Sequence, residues 1–327
     1  MLHVHLPFDS MRPLPVYLSA EEWIARHMPP GDYFFAWQVA PTVICGRHQD
    51  VASEVDLHFC AEHGIEVYRR KSGGGAVFAD CNNIMFSHIA PAAAVQDAFS
   101  DYTSRVVAAL RALGLDAEAS GRNDILVGGK KVAGNAYYKC NDRSIVHGTM
   151  LYDTDAALMG GALTPARAKL ESHKVVSVPS RITTVRSHLP ELTLEAFMKH
   201  MLAYICDGDI RLPDKAASEI ENISRPYFVE TFGNESISRV HAERVAGAGT
   251  VVAETVLSPD GIIKYVRLTG DFFALPPFDA AMARLSGVRH AAADIAAALG
   301  PEPIMAGIDN AALAACIAAS TTVIESN

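Results

Sequence analysis

The chain has 327 residues, of which 50% are hydrophobic and 20% are charged, and 28 Lys and Arg residues against 37 Asp and Glu residues give it a formal net charge of -9. This balance excludes disordered, collagenous and coiled-coil proteins, and the acidic charge argues against nucleic acid as the main partner. No apolar run reaches the roughly 18 residues that cross a bilayer, and no signal-peptide pattern opens the chain. We therefore expect a cytoplasmic protein of two domains with no membrane association.

Cysteine and histidine spacing gives no metal or disulfide signature. Six cysteines are scattered without a Cys-x-x-Cys pair, which argues against a zinc site and against a disulfide framework. The histidines lack the His-x-x-x-His spacing, so a catalytic metal held by protein nitrogens is not indicated. The sequence therefore predicts reduced thiols.

Short β-branched or aromatic runs alternate with helical patterns through the first two thirds of the chain. The predicted helices are 17–28, 53–63, 95–113, 165–171 and 192–205. The predicted strands are 32–37, 42–45, 65–69, 75–78, 83–88, 124–127, 131–138 and 144–151. Because the strands arrive in adjacent runs rather than one per helix, we predict an α+β fold with a mixed β-sheet and packed helices.

A polar stretch around 207–226 precedes a smaller C-terminal region. Strands at 245–257 and 262–268 flank a turn signal that begins at Ser258, which predicts a hairpin. Alanine-rich helices are predicted at 278–285, 290–299 and 309–319. These features predict a first domain at 1–210, a linker at 211–225 and a small α+β C-terminal domain at 226–327.

Three consecutive cations, Arg69, Arg70 and Lys71, precede the triple glycine Gly73 to Gly75. Backbone amides of a loop without side chains, together with nearby cations, can hold carboxylate or phosphate oxygens. The alternative is a flexible glycine hairpin beside a solvated basic patch, because a glycine loop without a lysine-serine ending is a weak signal.

Two further segments carry candidate functional residues. Asp124 closes a polar cluster at the start of a predicted strand, where its carboxylate could bind a divalent cation or a sugar hydroxyl. A glycine pair then precedes Lys130 and Lys131, and only one of the two can face a given cleft because strand side chains alternate. Solvation of both lysines at a hairpin tip is the alternative. His147 is a third candidate, for which a structural, hydrogen-bonded role is the alternative.

Six motifs, taken together in their order and spacing, resemble the lipoate-protein ligase A family of the biotin/lipoate protein ligase superfamily. They are Gly46-Arg47-His48-Gln49, the segment 69–80 ending at Asp80, Asn83, Gly121-Arg122-Asn123-Asp124, Lys131-Val132-Ala133-Gly134-Asn135-Ala136-Tyr137 and His147-Gly148-Thr149-Met150-Leu151. The resemblance continues through 177–183. The tail from Tyr227 is similar to the accessory domain of bacterial ligases of this family.

This resemblance implies an ATP-dependent, adenylate-forming enzyme of protein modification. Such a ligase joins lipoate to ATP, releases pyrophosphate and passes the lipoyl group from lipoyl-AMP to one lysine of an acceptor. The implied acceptors are apo lipoyl domains of 2-oxoacid dehydrogenase subunits or the glycine-cleavage H protein. ATP and Mg²⁺ are implied co-substrates, lipoate is the implied substrate, and no tightly bound cofactor is expected.

The resemblance also implies residue roles, with Lys131 as the catalytic residue that touches the carboxyl oxygen and the α-phosphate. The implied lipoate-binding residues are Arg70, Ser72, Gly73, Gly74, Gly75, Ala76 and His147. The implied ATP- or adenylate-binding residues are Phe78, Asn83, Asn123, Asp124, Lys131, Gly134 and Thr149. Asp124 is also the candidate ligand for magnesium. Coupling two anions requires positive charge placed in advance, which the cationic clusters supply.

Three positions depart from the family pattern, namely Ala79, Asn82 and Pro179. None of them removes a charge that this chemistry requires. They leave the preferred acyl length and the preferred acceptor open.

The main alternative is an octanoyltransferase of the same superfamily, which transfers octanoate from a carrier protein through a cysteine thioester without ATP. Its nucleophile would follow the strand of His147, but no cysteine lies between His147 and Cys206. Cys81 and Cys140 flank the expected site, and we expect both to be buried apolar thiols.

Two further alternatives are a biotin-protein ligase and a non-enzymatic lipoyl or nucleotide sensor. The glycine-arginine loop and nearby tryptophans of the biotin enzymes are missing, since the only tryptophans are Trp23 and Trp37. Retention of Lys131 and Asp124 argues against a sensor.

Overall fold

The structure is a computed structural model of the chain, and it describes residues 1–121, 123–164, 181–228, 241–245, 249–258, 260–320 and 322–323. The chain forms two compact units. The first comprises Met1–Cys45, Val51–Ser72 and Ala76–Thr231, and the second comprises Gly46–Asp50, Gly73–Gly75 and Phe232–Asn327. None of the described helices combines the length and apolarity needed to cross a membrane.

The described residues of the first unit form strands β1 to β11 and helices α1 to α8. Its strands are β1 (Leu2–His5), β2 (Tyr33–Trp37), β3 (Thr42–Cys45), β4 (Glu66–Arg69), β5 (Val77–Ala79), β6 (Ile84–Pro91), β7 (Ala117–Ser120), β8 (Asp124–Val127), β9 (Lys130–Cys140), β10 (Arg143–Met150) and β11 (Gly208–Arg211). Its helices are α1 (Leu14–His27), α2 (Val51–Glu54), α3 (Leu57–Glu62), α4 (Val95–Ala112), α5 (Ala156–Ala162), α6 (Val185–His188), α7 (Leu194–Ile205) and α8 (Lys215–Ser224), followed by a 3₁₀ helix at Arg225–Phe228.

Eight of these strands form one mixed sheet in the order β11-β1-β2-β6-β10-β9-β8-β7, and β4, β3 and β5 form a separate small sheet. Strand β10 is antiparallel to β6 and β9, and every residue of β10 is buried. The α+β prediction is therefore confirmed. A central strand of this kind can place polar side chains in a fixed, water-poor environment.

Helices α1 and α4 cover opposite faces of the large sheet. Glu21 of α1 accepts a hydrogen bond from Ser87, whereas the ring of Tyr102 in α4 stacks on that of His88, the next residue of β6. Successive strand side chains point to opposite faces, so the two helices lie on opposite sides. The predicted apolar pattern of α4 is confirmed, since Phe99, Tyr102, Val106 and Leu110 are buried.

The predicted helix at 53–63 is wrong as a single element. It is two short helices, α2 and α3, because Asp56 is the N-cap of α3 and its side chain accepts a hydrogen bond from the Phe59 amide at 2.8 Å. Strands β1, β7 and β11 and helix α5 were not predicted, because each is short and lacks a clear periodicity. The predicted helix at 165–171 lies outside the described residues.

The segment predicted as a linker, 211–225, contains the end of β11 and the whole of α8. Ala216, Ile220 and Ser224 lie on the buried face of α8 at helical spacing. The indole N–H of Trp23 in α1 donates to Glu219 of α8 at 2.7 Å. The polar composition of this segment therefore belongs to the exposed face of a packed helix.

The second unit contains β12 (His241–Val245), β13 (Gly249–Leu257), β14 (Ile263–Gly270), β15 (Thr322–Val323), α9 (Phe278–Ala283), α10 (Ala292–Leu299) and α11 (Asn310–Ala319). Strands β12, β13 and β14 are antiparallel, and β15 runs parallel to β13. The predicted hairpin and the three C-terminal helices are confirmed. Phe272, Leu285, Ile295 and Leu313 lie in the core of this unit.

Candidate active site

A buried carboxylate and a buried imidazole meet between α1 and β10. Nδ1 of His147 lies 2.9 Å from both carboxylate oxygens of Glu21, and Nε2 of His147 lies 2.7 Å from Oγ of Ser72. Glu21 and Ser72 are fully buried. A carboxylate only accepts, so Nδ1 carries the proton that it donates, and Nε2 is the ring nitrogen that faces the Ser72 hydroxyl. Glu21 thus fixes the orientation of the His147 ring and the position of its Nδ1 proton.

The Glu21 carboxylate has further hydrogen-bond donors around it. Ser87 donates at 2.5 Å and the Tyr138 hydroxyl donates at 3.3 Å, while the Trp37 indole N–H donates to Ser87 at 2.8 Å. Burial, followed by the charge of Glu21, raises the pKa of Tyr138 well above its ordinary value, so this hydroxyl keeps its proton. The buried carboxylate is therefore stabilised by a connected polar network rather than by water.

Arg70 continues this network toward β3. This residue is 5% exposed, and its guanidinium donates to Ser72 Oγ at 2.9 Å and to the Ile44 carbonyl at 2.8 Å. Burial lowers the pKa of Arg70 to about 10, which leaves it charged at neutral pH. Arg70 thus fixes the hydroxyl position of Ser72 relative to β3. Lys71 forms an ion pair with Glu22 of α1 and lies 5.5 Å from the centre of the Tyr227 ring.

The glycines Gly73, Gly74 and Gly75 belong to the second unit. Within that unit the Gly74 amide donates to the Phe272 carbonyl at 3.2 Å, and Gly74 has a φ of 89°. A side chain at Gly73 would collide with the same carbonyl. The loop thus requires glycine because another backbone approaches it closely. Ala76 and Phe78 lie in the first unit, and Phe78 is a buried residue of β5.

A second cluster of charged side chains consists of Asp124 of β8, Lys131 of β9 and Arg181. Nζ of Lys131 is 2.7 Å from Oδ1 of Asp124, and Nη2 of Arg181 is 2.6 Å from Oδ2 of the same carboxylate. The side chains of Lys131 and Arg181 are 24% and 31% exposed, whereas Asp124 is 14% exposed. Two cations therefore share one carboxylate, and the cluster has a formal net charge of +1. Its side chains are partly exposed to solvent.

Strand register explains how this cluster forms. Asp124 lies opposite Gly134 of β9, and Gly134 lies opposite Thr149 of β10. The pairing of β8 with β9 shifts between Ile125 and Leu126. A Cβ atom at Gly134 would lie 2.6 Å from Nζ of Lys131. Gly134 therefore leaves the space that the lysine ammonium fills beside Asp124. Lys130, by contrast, is exposed.

Two asparagines join the start of β8 to the middle of β9, and a third lies directly before β6. Nδ2 of Asn123 donates to the Asn135 carbonyl at 2.5 Å, and Nδ2 of Asn135 donates to the Asn123 carbonyl at 2.8 Å. Asn83 is fully buried and donates to Thr154 Oγ1 at 3.0 Å. Among the described residues, no hydrogen-bond partner is found for Oδ1 of Asn83.

The structure thus places the predicted residues in separate groups. Arg70, Ser72 and His147 are hydrogen-bonded together, and Lys131, Asp124 and Gly134 are in contact. Thr149 of β10 lies opposite Gly134. Phe78 lies in β5, and Asn83 comes directly before β6. Asn123 comes directly before β8 and is hydrogen-bonded to Asn135 of β9. Sequence reasoning missed Glu21, Trp37, Ser87 and Arg181. Two signals were available: Glu21 and Glu22 lie together in the mainly apolar stretch Leu14 to Ile24, and Arg181 lies in the segment 177–183 through which the family resemblance extends.

The six cysteines are all thiols, and none of them takes part in a disulfide bond. Cys140 is buried as expected, but the expectation for Cys81 is wrong, because Cys81 lies in the turn before β6 and is exposed. Burial raises the pKa of the Cys45 thiol to about 12 and that of Cys206 to about 11.

Three solved structures show which class of fold this is. P. falciparum LipL1, solved in complex with lipoate, aligns with a TM-score of 0.74 over 91% of this chain and 93% of its own at 17% identity. A bipartite lipoate protein ligase of Thermoplasma acidophilum, reported with its E2 lipoyl domain, gives 0.60 over 72% of this chain and 93% of its own at 24% identity. A lipoate-protein ligase A bound with ATP gives 0.56 over 72% and 95% at 23% identity. The fold is that of lipoate-protein ligases.

Sequence comparison gives the family. The model of the lipoyl protein ligase A/B catalytic domain matches residues 14–206. A probable lipoate-protein ligase A of Mycoplasma pneumoniae is 30% identical over 295 residues, which is 86% of this chain and 87% of the relative. The lipoate-protein ligase LplJ of Bacillus subtilis is 30% identical over 277 residues, or 80% and 82%. The chain therefore belongs to the lipoate-protein ligase family, and the prediction of such an enzyme is confirmed.

Proposed function

We propose that this chain activates lipoate with ATP to form lipoyl-AMP and then transfers the lipoyl group to a lysine of an acceptor protein. The observation that carries the proposal is the cluster of Lys131, Asp124 and Arg181, in which an accessible ammonium is held beside a carboxylate. A fold neighbour solved with lipoate and another bound with ATP support the choice of reactants.

In the first step, a carboxylate oxygen of lipoate attacks the α-phosphorus of ATP. The bond from that phosphorus to the oxygen of the departing pyrophosphate breaks. The Lys131 ammonium can move from Asp124 to the oxygens of the reactants. The Asp124 carboxylate then still has a cationic partner, because Arg181 remains bound to its Oδ2. The lysine ammonium would then reduce the repulsion between the two anions and stabilise charge that develops at the phosphorus.

In the second step, the uncharged amine of the acceptor lysine attacks the acyl carbon of lipoyl-AMP. The bond between that carbon and the phosphate oxygen breaks, AMP leaves, and the amine loses a proton to give an amide. The acceptors proposed are apo lipoyl domains of 2-oxoacid dehydrogenase subunits or the glycine-cleavage H protein. The Thermoplasma neighbour, reported with its E2 lipoyl domain, supports the first of these.

The proposed lipoate-binding residues have two kinds of role. We assign Ser72 and His147 to the polar wall of the site, since their hydrogen-bonding groups are fixed by Glu21 and Arg70. Arg70 is a positioning residue in this scheme, because its donors reach Ser72 and a backbone carbonyl. The proposed lipoate contacts also include Gly73, Gly74, Gly75 and Ala76. The proposed nucleotide contacts include Phe78, Asn83, Asn123, Gly134 and Thr149.

The residues around Asp124 do not fit a magnesium ion held by this carboxylate alone. Both of its oxygens contact cationic side chains, whereas Mg²⁺ prefers an octahedral set of oxygens and water. No step of the proposed reaction therefore uses an ion at Asp124. Mg²⁺ enters the reaction as part of the ATP substrate.

The cysteine thioester mechanism of an octanoyltransferase is not favoured. Its nucleophile must be a thiolate, and burial raises the pKa of Cys45, Cys60, Cys140 and Cys206.

The proposed function is tested with the purified chain, ATP, MgCl₂ and lipoate, with pyrophosphate release as the readout. An apo lipoyl domain or H protein is then added, and its mass is measured. We expect pyrophosphate only when both lipoate and ATP are present, and one acyl group per acceptor. Acylation from octanoyl carrier protein without ATP, together with an acyl-cysteine adduct of the enzyme, would establish the alternative instead.

A further inference from the structure

Two histidines and one aspartate form a compact group at the edge of the large sheet, within the first unit. Nδ1 of His3 lies 3.0 Å and Nε2 of His5 lies 2.8 Å from Oδ1 of Asp209. One ligand atom from each of the three residues lies within 4.8 Å of the others. The ligase chemistry proposed above uses none of these residues.

Strand geometry creates this arrangement. β1 and β11 run parallel, with His3 opposite Asp209, and β11 is the outermost strand of the sheet. Residues separated by two positions on a strand share a face, so His3 and His5 point to the same side as a pair. The two imidazole rings are 4.3 Å apart between centroids.

The spacing suits a small divalent ion with nitrogen ligands. Bond lengths of roughly 2.0 to 2.2 Å to zinc place the ligand atoms of a tetrahedral site about 3.3 Å apart. The separations of 3.0 and 2.8 Å from Asp209 need to open by only a few tenths of an ångström, and the ligand nitrogens of the two rings lie within 4.8 Å of each other. The side chains of His3, His5 and Asp209 are 20%, 40% and 67% exposed, so they can adjust and an ion can reach them from solvent.

We propose that His3, His5 and Asp209 bind a late first-row transition-metal ion such as Zn²⁺ or Ni²⁺, with water completing the coordination. Two imidazoles and one carboxylate favour these ions, whereas Mg²⁺ and Ca²⁺ prefer oxygen ligands. The ion takes the place of the protons that now lie between each ring and Asp209. Each neutral ring then carries its single proton on its other nitrogen.

The ion would link β1 to the four-residue edge strand β11. A ligand that binds the folded state and not the unfolded state stabilises the fold by mass action. The site escaped sequence analysis because its spacing is His-x-His and because Asp209 lies 206 and 204 residues from the two histidines.

The experiment is calorimetric titration of the full-length protein with ZnCl₂, NiCl₂ and MgCl₂ in a non-chelating buffer. We expect one Zn²⁺ or Ni²⁺ per chain and no binding of Mg²⁺. The variants His5→Gln and Asp209→Asn should lose affinity by roughly 10- to 100-fold or more, since even the outer-shell partners of metal ligands contribute that much. The matched control is His58→Gln, which alters an exposed histidine that lies 3.4 Å from the carboxylate of Glu62.

Two spectroscopic measurements identify the side chains that hold the ion. When Co²⁺ is bound in place of Zn²⁺, the absorbance spectrum should lack the charge-transfer band between a thiolate and the metal. That result excludes the exposed Cys81 as a metal ligand. NMR of the wild-type imidazoles should show Zn²⁺ shifting His3 and His5 and not His58, a test that does not depend on variants folding. Unchanged His3 and His5 signals, or equal Zn²⁺ affinity in the wild type and in folded His5→Gln, would overturn the proposal.

Discussion

At the scale of single residues, the hydrogen bonds of Glu21 fix the orientation of the His147 ring. Glu21 accepts from His147, Ser87 and Tyr138 and is fully buried. Removal of one partner from such a network leaves other polar groups unsatisfied, which costs more than the bond itself contributes.

Glu21→Gln therefore tests the network. Glutamine keeps the size of the side chain, but it replaces one acceptor oxygen with a donor and removes the charge. We expect the free energy of unfolding to fall by about 1–3 kcal/mol, the usual cost of an unsatisfied buried group, as measured by urea denaturation. The control is Glu62→Gln, whose side chain is 59% exposed and which should change stability by about 0.5 kcal/mol or less. Equal stability of Glu21→Gln and wild type would contradict the role of the network.

The sequence predicted part of the charged cluster and little of the buried network. Lys131 and Asp124 stood out because they lie in glycine-bounded polar motifs on neighbouring strands. Glu21 did not, because its partner His147 lies 126 residues away and because burial makes α1 resemble any apolar core helix. Pairing of such distant residues depends on sheet order, which no local pattern contains.

At the scale of elements, the register of β8, β9 and β10 positions the lysine proposed to be catalytic. The shift in pairing near Ile125 and the missing side chain at Gly134 together bring Lys131 beside Asp124. Elements with strong periodicity, such as α4, could be predicted with nearly correct ends. Short edge strands such as β11 could not, because four residues carry too little pattern and pair only through the folded sheet.

Gly134→Ala tests this positioning. The added methyl group would contact the flexible end of Lys131, which can move away at small cost to the fold. Displacement of a reacting group by about 1 Å can lower a rate by roughly 10²-fold. We expect pyrophosphate release to fall by that order, while the melting temperature stays near that of wild type. As a control, Gly31→Ala, whose added methyl group would lie 3.3 Å from the Tyr33 hydroxyl and not beside Lys131, should leave pyrophosphate release unchanged. A fully active Gly134→Ala enzyme would show that the lysine position is not critical.

At the scale of the whole molecule, the first unit buries tyrosine hydroxyls that ionise only with difficulty. Burial, with a smaller contribution from Glu21, raises the pKa of Tyr102 above its ordinary value of 10.0, and burial also raises that of Tyr138. Groups of this kind bind their protons more tightly in the folded state. Their contribution to stability is complete below the unfolded pKa and is lost as pH rises through the folded one.

We therefore expect the first unit to unfold in alkali above about pH 10, the unfolded pKa of tyrosine, with the appearance of tyrosinate absorbance coinciding with loss of circular dichroism. Tyr102→Phe should move the midpoint to higher pH, whereas Tyr265→Phe, at a residue that is 53% exposed, should not. Ionisation of every tyrosine before unfolding would contradict this account.

The measurement that bears most directly on the account compares lipoyl-AMP formation by Lys131→Ala and by Lys130→Ala. The two lysines are adjacent on β9, but only Lys131 contacts Asp124, while Lys130 is exposed. Loss of one preorganised transition-state donor costs roughly 10²- to 10³-fold in rate. We predict that loss for Lys131→Ala and near wild-type turnover for Lys130→Ala. Near wild-type turnover of a folded Lys131→Ala enzyme would contradict the proposed role of this lysine.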